Sequence, residues 1–162
     1  MRIMGVRGNI PDLDGFLASV SAIEKRHKAT VQLLRADRIF GVEHLISAGE
    51  KAERAFANGT AMSRTLGMEI LLYAAAERQT SLALKKMGMH DGICEMAMVL
   101  VGDIDGEEVL AELGLERDDS VMEPDCKDFS TFGITETQID MFGVPGIQEL
   151  VLEKVALSEI ER

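Results

Sequence analysis

The sequence of 162 residues predicts an α/β fold of the mixed α+β kind, a small central β-sheet with helices packed on it. Two observations carry that expectation. Short apolar runs of strand length intersperse with segments of helical period along the whole chain. No repeat, low-complexity tract or Pro/Gly/Ser-rich linker divides it, so residues 1–162 are expected to form one domain.

Residues 2–8 (Arg-Ile-Met-Gly-Val-Arg-Gly) have the composition of a first strand. Leu13, Phe16, Leu17, Val20 and Ile23 then recur at helical spacing, with Asp12 and Asp14 suited to the positive end of a helix. Residues 29–36 suit a second strand. Val42, Leu45, Ile46, Gly49, Ala52 and Phe56 form an amphipathic stripe, Glu50 and Arg54 stand at i,i+4, and Asn58-Gly59 ends the helix. Two shorter helices follow over 66–76 and 80–87, broken around Glu77-Arg78-Gln79.

Ile93 to Val101 is almost wholly apolar, as a strand covered on both faces would be. Asp105 and Glu108 have capping-box spacing ahead of Leu110, Leu113 and the stop at Gly114. Residues 116–134 are acidic and read as irregular. Thr135 and Gln138 repeat the capping-box signal before Ile139 and Phe142. Pro145 suits the first turn of a last helix carrying Ile147, Leu150, Val151, Val155 and Leu157. Strand order is not legible.

No apolar run approaches the roughly 20 residues that span a bilayer. The opening residues meet Arg7 and Asn9 too early for a secretory signal. Cys94 and Cys126 are far apart and read as free thiols of a reducing compartment. A cytoplasmic location is therefore expected. The net charge of −11 argues against a general nucleic-acid coat protein, but it is unevenly divided. Residues 1–90 carry +4 and residues 91–162 carry −15. The acidic half reads as a solvated surface, and any polyanion must dock on the first half.

The phosphate-binding, dinucleotide-binding, nucleophile-elbow and zinc-helix motifs are all missing. His27, His44 and His90 fall in separate segments. Glu43-His44 could be half of a metal site or an acid–base pair, yet a histidine at a helix start reads first as a capping or packing residue. Asp118, Asp119, Glu123 and Asp125 lack the order of a calcium loop and read as a solvated loop. No catalytic residues and no metal or other cofactor are expected. The stretch 63–90 is more informative. Ser63-Arg64-Thr65 and Arg78-Gln79-Thr80 each precede a helix, and Lys85-Lys86 closes the second. Helix starts beside cations make local anion sites, although caps with exposed cations would look the same.

Residues 36–88 also form a recognisable pattern. Glu43-His44-Leu45, the Ala48, Ala52, Ala55-Phe56 stripe, Glu69-Ile70-Leu71-Leu72-Tyr73, Arg78-Gln79-Thr80 and Ala83 to Gly88 follow one another. Together they resemble the kinase-binding regulatory subunit of the KEOPS (EKC) complex, the PRPK-binding protein family. Leu150 to Leu157 and Gly5-Val6-Arg7-Gly8 agree with that family's ends, and Thr80 departs from its usual isoleucine. The resemblance implies a non-catalytic subunit of the machinery that installs threonylcarbamoyl on tRNA adenosine. It implies docking on the complex's atypical small kinase/ATPase and a hold on the single-stranded CCA end of tRNA.

On that basis Arg7, Arg64, Arg78, Gln79, Lys85 and Lys86 are expected to contact tRNA. His44, Leu45, Glu69, Leu72 and Tyr73, where the family motifs concentrate, are expected at the kinase interface. Tyr73 lies in an apolar run and reads first as core. No membrane and no small-molecule substrate are expected. Two other readings stay open: a protein-interaction module without RNA contact, and an enzyme with a pocket near Glu43, His44, Glu69 and Arg78.

Overall fold

A computed structural model describes residues 1–125 and 127–161; Cys126, expected as a free thiol, and Arg162 lie outside the described residues. The strands are β1 (Arg2–Arg7), β2 (Thr30–Arg35), β3 (Glu95–Val101) and the two-residue β4 (Glu116–Arg117). They form one antiparallel sheet in the order β2-β3-β1-β4. The helices are α1 (Leu13–His27), α2 (Val42–Ala57), α3 (Leu66–Ala75), α4 (Thr80–Met87), α5 (Gly106–Leu113) and α6 (Glu136–Ile160).

The sheet separates two apolar cores, as strand alternation dictates. Met96, Met98 and Leu100 of β3 face α1 and α5 with Met4, Val6, Val31 and Leu33. Ala97 and Val99 face the other way, toward α2, α3, α4 and α6. β3 is therefore covered on both faces, as its apolar run predicts. Gly5 of β1 is required by packing: a Cβ there would collide with the Asp118 carbonyl oxygen and the Val121 side chain.

Local signals place most of the helix ends. Asp12 accepts from Gly15 N at the start of α1, Thr65 from Met68 N at the start of α3, and Asp105 from Glu107 N at the start of α5. Thr135 and Gln138 form the predicted capping box of α6. Glu108 completes no such box at α5, where Asp105 caps alone.

Three expectations need correction. The buried face of α2 runs through His44, Leu45, Ala48, Gly49, Ala52 and Ala55, so Ile46 and Phe56 are exposed. Small residues lie inward because α3 and α6 pack closely there. Arg54 pairs with Glu159 of α6, at 2.7 Å, and not with Glu50. Residues 116–134 are also more ordered than their composition suggests. They hold β4 and two 3₁₀ turns, and they bury Val121, Met122, Phe132 and Ile134. Long-range polar contacts fix them. Asp119 accepts from Gly5 N, Lys127 donates to the Ala36 carbonyl, and Asp128 pairs with Arg38. The free carboxylates of a solvated loop are thus partly engaged: Asp118 bonds Ser120 and Arg7, and Asp119 binds Arg117, which lowers both pKa values.

Candidate functional site

The residues singled out by the sequence separate into a buried set and an exposed set. His44 opens α2 and is completely buried. Its Nδ1 accepts from Phe40 N at 3.2 Å, which leaves Nε2–H to donate to the Ala74 carbonyl at 2.8 Å. The ring packs edge-on to Phe132, with centroids 5.5 Å apart. Burial pushes its pKa down to about 4, helped by the nearby Lys86 ammonium and opposed by the Ala74 bond. His44 is thus a neutral cross-brace between the start of α2 and the end of α3.

Glu69 sits among the apolar residues of α3, also fully buried. Its Oε2 accepts from Met62 N (3.1 Å), Ser63 N (2.9 Å) and Ser63 Oγ (2.8 Å). The carboxylate therefore folds the 61–65 connection back over α3, and Ser63 serves that connection. Leu45, Leu72 and Tyr73 fill the core on the same side of the sheet. All five residues expected at the kinase interface are core residues, so none offers a surface to a partner here. The family motif across α2 and α3 is in this respect a packing signature.

The cations are differently placed. Arg64 and Lys85 are exposed, and no described residue forms an ion pair with either. Arg78 and Gln79 are exposed at the start of α4, where Arg78 donates to the Glu161 carbonyl at 2.9 Å. Exposed Leu82 and Leu84 lie between these two residues and Lys85 in sequence, so α4 presents cations mixed with apolar side chains.

Arg7 is exposed at the far end of β1 and pinned by Glu95, at 2.7 Å, and by Asp118. Lys86 is half-buried. It donates to the Ala75 carbonyl (2.8 Å) and to Glu77 (3.2 Å), and its ammonium stands 4.9 Å from the centroid of Phe132. Arg38 donates to the Lys86 carbonyl at 2.6 Å and so caps the same turn. Lys86 is consequently a brace with little left for an external anion.

The residues of the enzyme reading do not converge. Glu43 accepts from Gln148 at 3.0 Å, His44 and Glu69 are held in the core by separate partners, and Arg78 reaches the end of α6. The sequence reading missed a set of exposed apolar side chains on α6. Met141 (71% exposed), Phe142 (53%) and Val144 surround Gly143, and Leu157 and Ile160 (79%) lie near the end of the helix. Gly143 has φ 69° and ψ 178°, which breaks α6 into two helical parts. The run Met141-Phe142-Gly143-Val144-Pro145 was the available signal.

With this geometry in place, the comparisons with known proteins decide the family. The model of the family described as kinase binding protein CGI-121 matches residues 16–157. The chain belongs to the CGI-121 family. A curated relative, "Regulatory protein Cgi121" of Methanocaldococcus jannaschii, is 29% identical over 131 residues, covering 81% of this chain and 84% of the relative. The CGI-121 match spans from within α1 to near the end of α6 and takes in the core on the α2–α3 side and most of the core on the α1–α5 side. No helix among the described residues is long and apolar enough to cross a membrane.

Proposed function

We propose that this CGI-121 protein is a non-catalytic regulatory subunit of a KEOPS-type assembly in the cytoplasm. It docks on that assembly's atypical kinase/ATPase and helps to hold the 3′ CCA end of tRNA during threonylcarbamoyl transfer. The observation that carries the RNA half is the sorting of cations on α4, on the turn before it and on the approach to α3. Arg64 and Lys85 are exposed with no ion pair to a described residue and Arg78 is exposed with one bond to the Glu161 carbonyl, whereas Arg7 and Lys86 are committed to neighbouring carboxylates and carbonyls. Phosphate oxygens favour cations that need not first give up a partner. Because Thr80–Met87 holds no aromatic ring, base stacking along α4 falls to Arg78 and apolar contact to Leu82.

Docking on the kinase is supported by family membership and by the exposed apolar residues of α6, since large exposed patches mark partner surfaces. This moves the expected contact from the five core residues to Met141, Phe142 and Val144. The same patch favours the second reading, a protein-interaction module without RNA contact. Titration with tRNA separates the two. Arg64→Glu and Lys85→Glu are each expected to weaken binding about tenfold and to lower the slope of log K against log salt by about one. Trimming the CCA end should weaken binding as well. Affinity indifferent to charge, salt and trimming would leave the module reading alone.

A further inference from the structure

The two edges of the sheet are finished differently. At the β1 edge, Gly5 N–H donates to Asp119 and Gly5 C=O accepts from Asp118 N at 2.8 Å, so the chain itself continues the ladder next to β4. At the β2 edge no strand follows among the described residues. Val31 and Leu33 turn their backbone groups away from β3. Val31 N–H instead donates to Glu24 Oε1 at 2.8 Å, and Leu33 C=O accepts from Gln32 Nε2 at 2.9 Å. One carboxylate thus stands in for a neighbouring strand's carbonyl and one amide for its N–H. For the other two outward groups, Leu33 N–H and Val31 C=O, no hydrogen bond with a described residue is found. Both residues are almost completely buried.

The floor of a groove of about 460 Å³ is formed along this edge, between α1 on one side and the start of α3 and end of α4 on the other. Leu17, Val20, Val31, Leu33, Leu84 and Met89 give it an apolar lining without an aromatic ring. Leu17 and Leu84 are exposed on opposite rims. Lys25 lines it, and Lys28 and Arg64 are next in sequence to lining residues.

We infer that this groove receives a short extended peptide segment of a partner protein, with acidic flanks, added as a fifth strand on β2. Unpaired N–H and C=O groups two residues apart along one strand match another backbone, and strand addition supplies them in register. The apolar walls take alternate side chains, and Lys25 in the lining favours the acidic flanks. Single-stranded RNA fits less well, because its bases would find no stacking platform on these walls. Glu24 acts as a latch, holding Val31 N–H until the partner's carbonyl replaces it. Val31 and Leu33 are the outward residues of β2 ahead of Arg35, with which the strand ends. The contact is therefore short, and its affinity belongs in the micromolar-to-millimolar range of small interfaces.

The test uses the full chain, isotope-labelled, and a ten-residue probe peptide of alternating Val and Thr with two Asp at each end. Binding should shift the Val31 and Leu33 amide resonances and slow their hydrogen exchange. A probe N-methylated at alternate amides should lose at least tenfold in affinity. Glu24→Ala should bind the unmethylated probe about fivefold more tightly, the equivalent of one freed hydrogen bond, while Glu24→Gln, which keeps an acceptor, should match the parent chain. Lys25→Glu should weaken the acidic probe but not one with Ser flanks. No shift at Val31 and Leu33, or indifference to N-methylation, overturns the inference. So does preferential filling of the groove by a CCA-ended oligonucleotide, or by a second copy of the chain seen in sedimentation. None of these readouts depends on whether tRNA binds at α4.

Discussion

Helices α3 and α4 are separated by only four residues, 76–79, yet they are opposites. Eight of the ten residues of α3 are buried, including a carboxylate, whereas α4 buries only Ala83 and Met87 of its eight. The family-like motif runs through both without a change of character in the letters. Half of such a motif can therefore preserve a core while the other half preserves a surface. Only the burial of each side chain tells which substitutions should unfold the protein and which should silence it.

The sharpest break in that comparison comes from Glu69. Glu69→Ala removes the common acceptor of Met62 N–H, Ser63 N–H and Ser63 Oγ and leaves a void where the buried side chain stood, and should cost roughly 3–5 kcal/mol in denaturant unfolding. Glu69→Gln keeps an acceptor and should cost markedly less. A small loss in Glu69→Ala would mean that α3 is not the core helix described.

His44 sets the next effect through pH. The unfolded imidazole takes a proton near its ordinary pKa of 6.5, whereas the folded one resists until about 4. Stability is then complete above pH 6.5 and falls as pH drops from 6.5 to 4, by about 3 kcal/mol in total. Asp37, Asp119 and Asp128, whose pKa values are lowered by pairing, add their losses at still lower pH. Unfolding midpoints measured between pH 7.5 and 4.5 should show the slope, and His44→Gln should flatten it.

At the exposed cations before α3 and on α4 the expected changes in stability shrink to nothing measurable. Arg64→Glu and Lys85→Glu should leave the melting temperature within about 1 °C, since exposed charges with no ion pair to a described residue contribute little, while tRNA affinity falls. Loss of fold in either variant would erase the contrast. The smallest effect distinguishes two neighbours. Lys85 should acylate with an amine-reactive reagent several-fold faster than Lys86, whose ammonium is held by Ala75, Glu77 and Phe132. Mass spectrometry of partly labelled protein reads that ratio.

The helices and three long strands were legible because each carries its own local signal: a period, a cap, or an apolar run closed by a glycine. Residues 116–134 were not, because their order comes from partners about 90 to 114 residues away, among them Asp119 on Gly5 and Lys127 on Ala36. Such contacts leave no local period. The site was half legible. Arg64, Arg78, Gln79 and Lys85 are as exposed as polar residues usually are, whereas His44 and Glu69 are the exceptions that composition hides. A single charge in the run Gly67-Met68-Glu69-Ile70-Leu71-Leu72 was the available sign that the carboxylate is buried with its partners. The error on α2 has the same origin. Phe56 is more apolar than Ala55, but close helix packing rewards the smaller side chain.

The break at Gly143 bears on how this sequence can vary. Its φ and ψ lie in a region that essentially only glycine occupies. Any other residue would tend to draw α6 straight and swing residues 136–142, taking Ile139 away from the core it packs against. Phe132 and Ile134 immediately precede that arm, so the damage would spread to the packing around His44. Mutational drift should thus be nearly closed at Gly143 and comparatively open at its exposed neighbours Met141 and Val144, unless a bound partner constrains them.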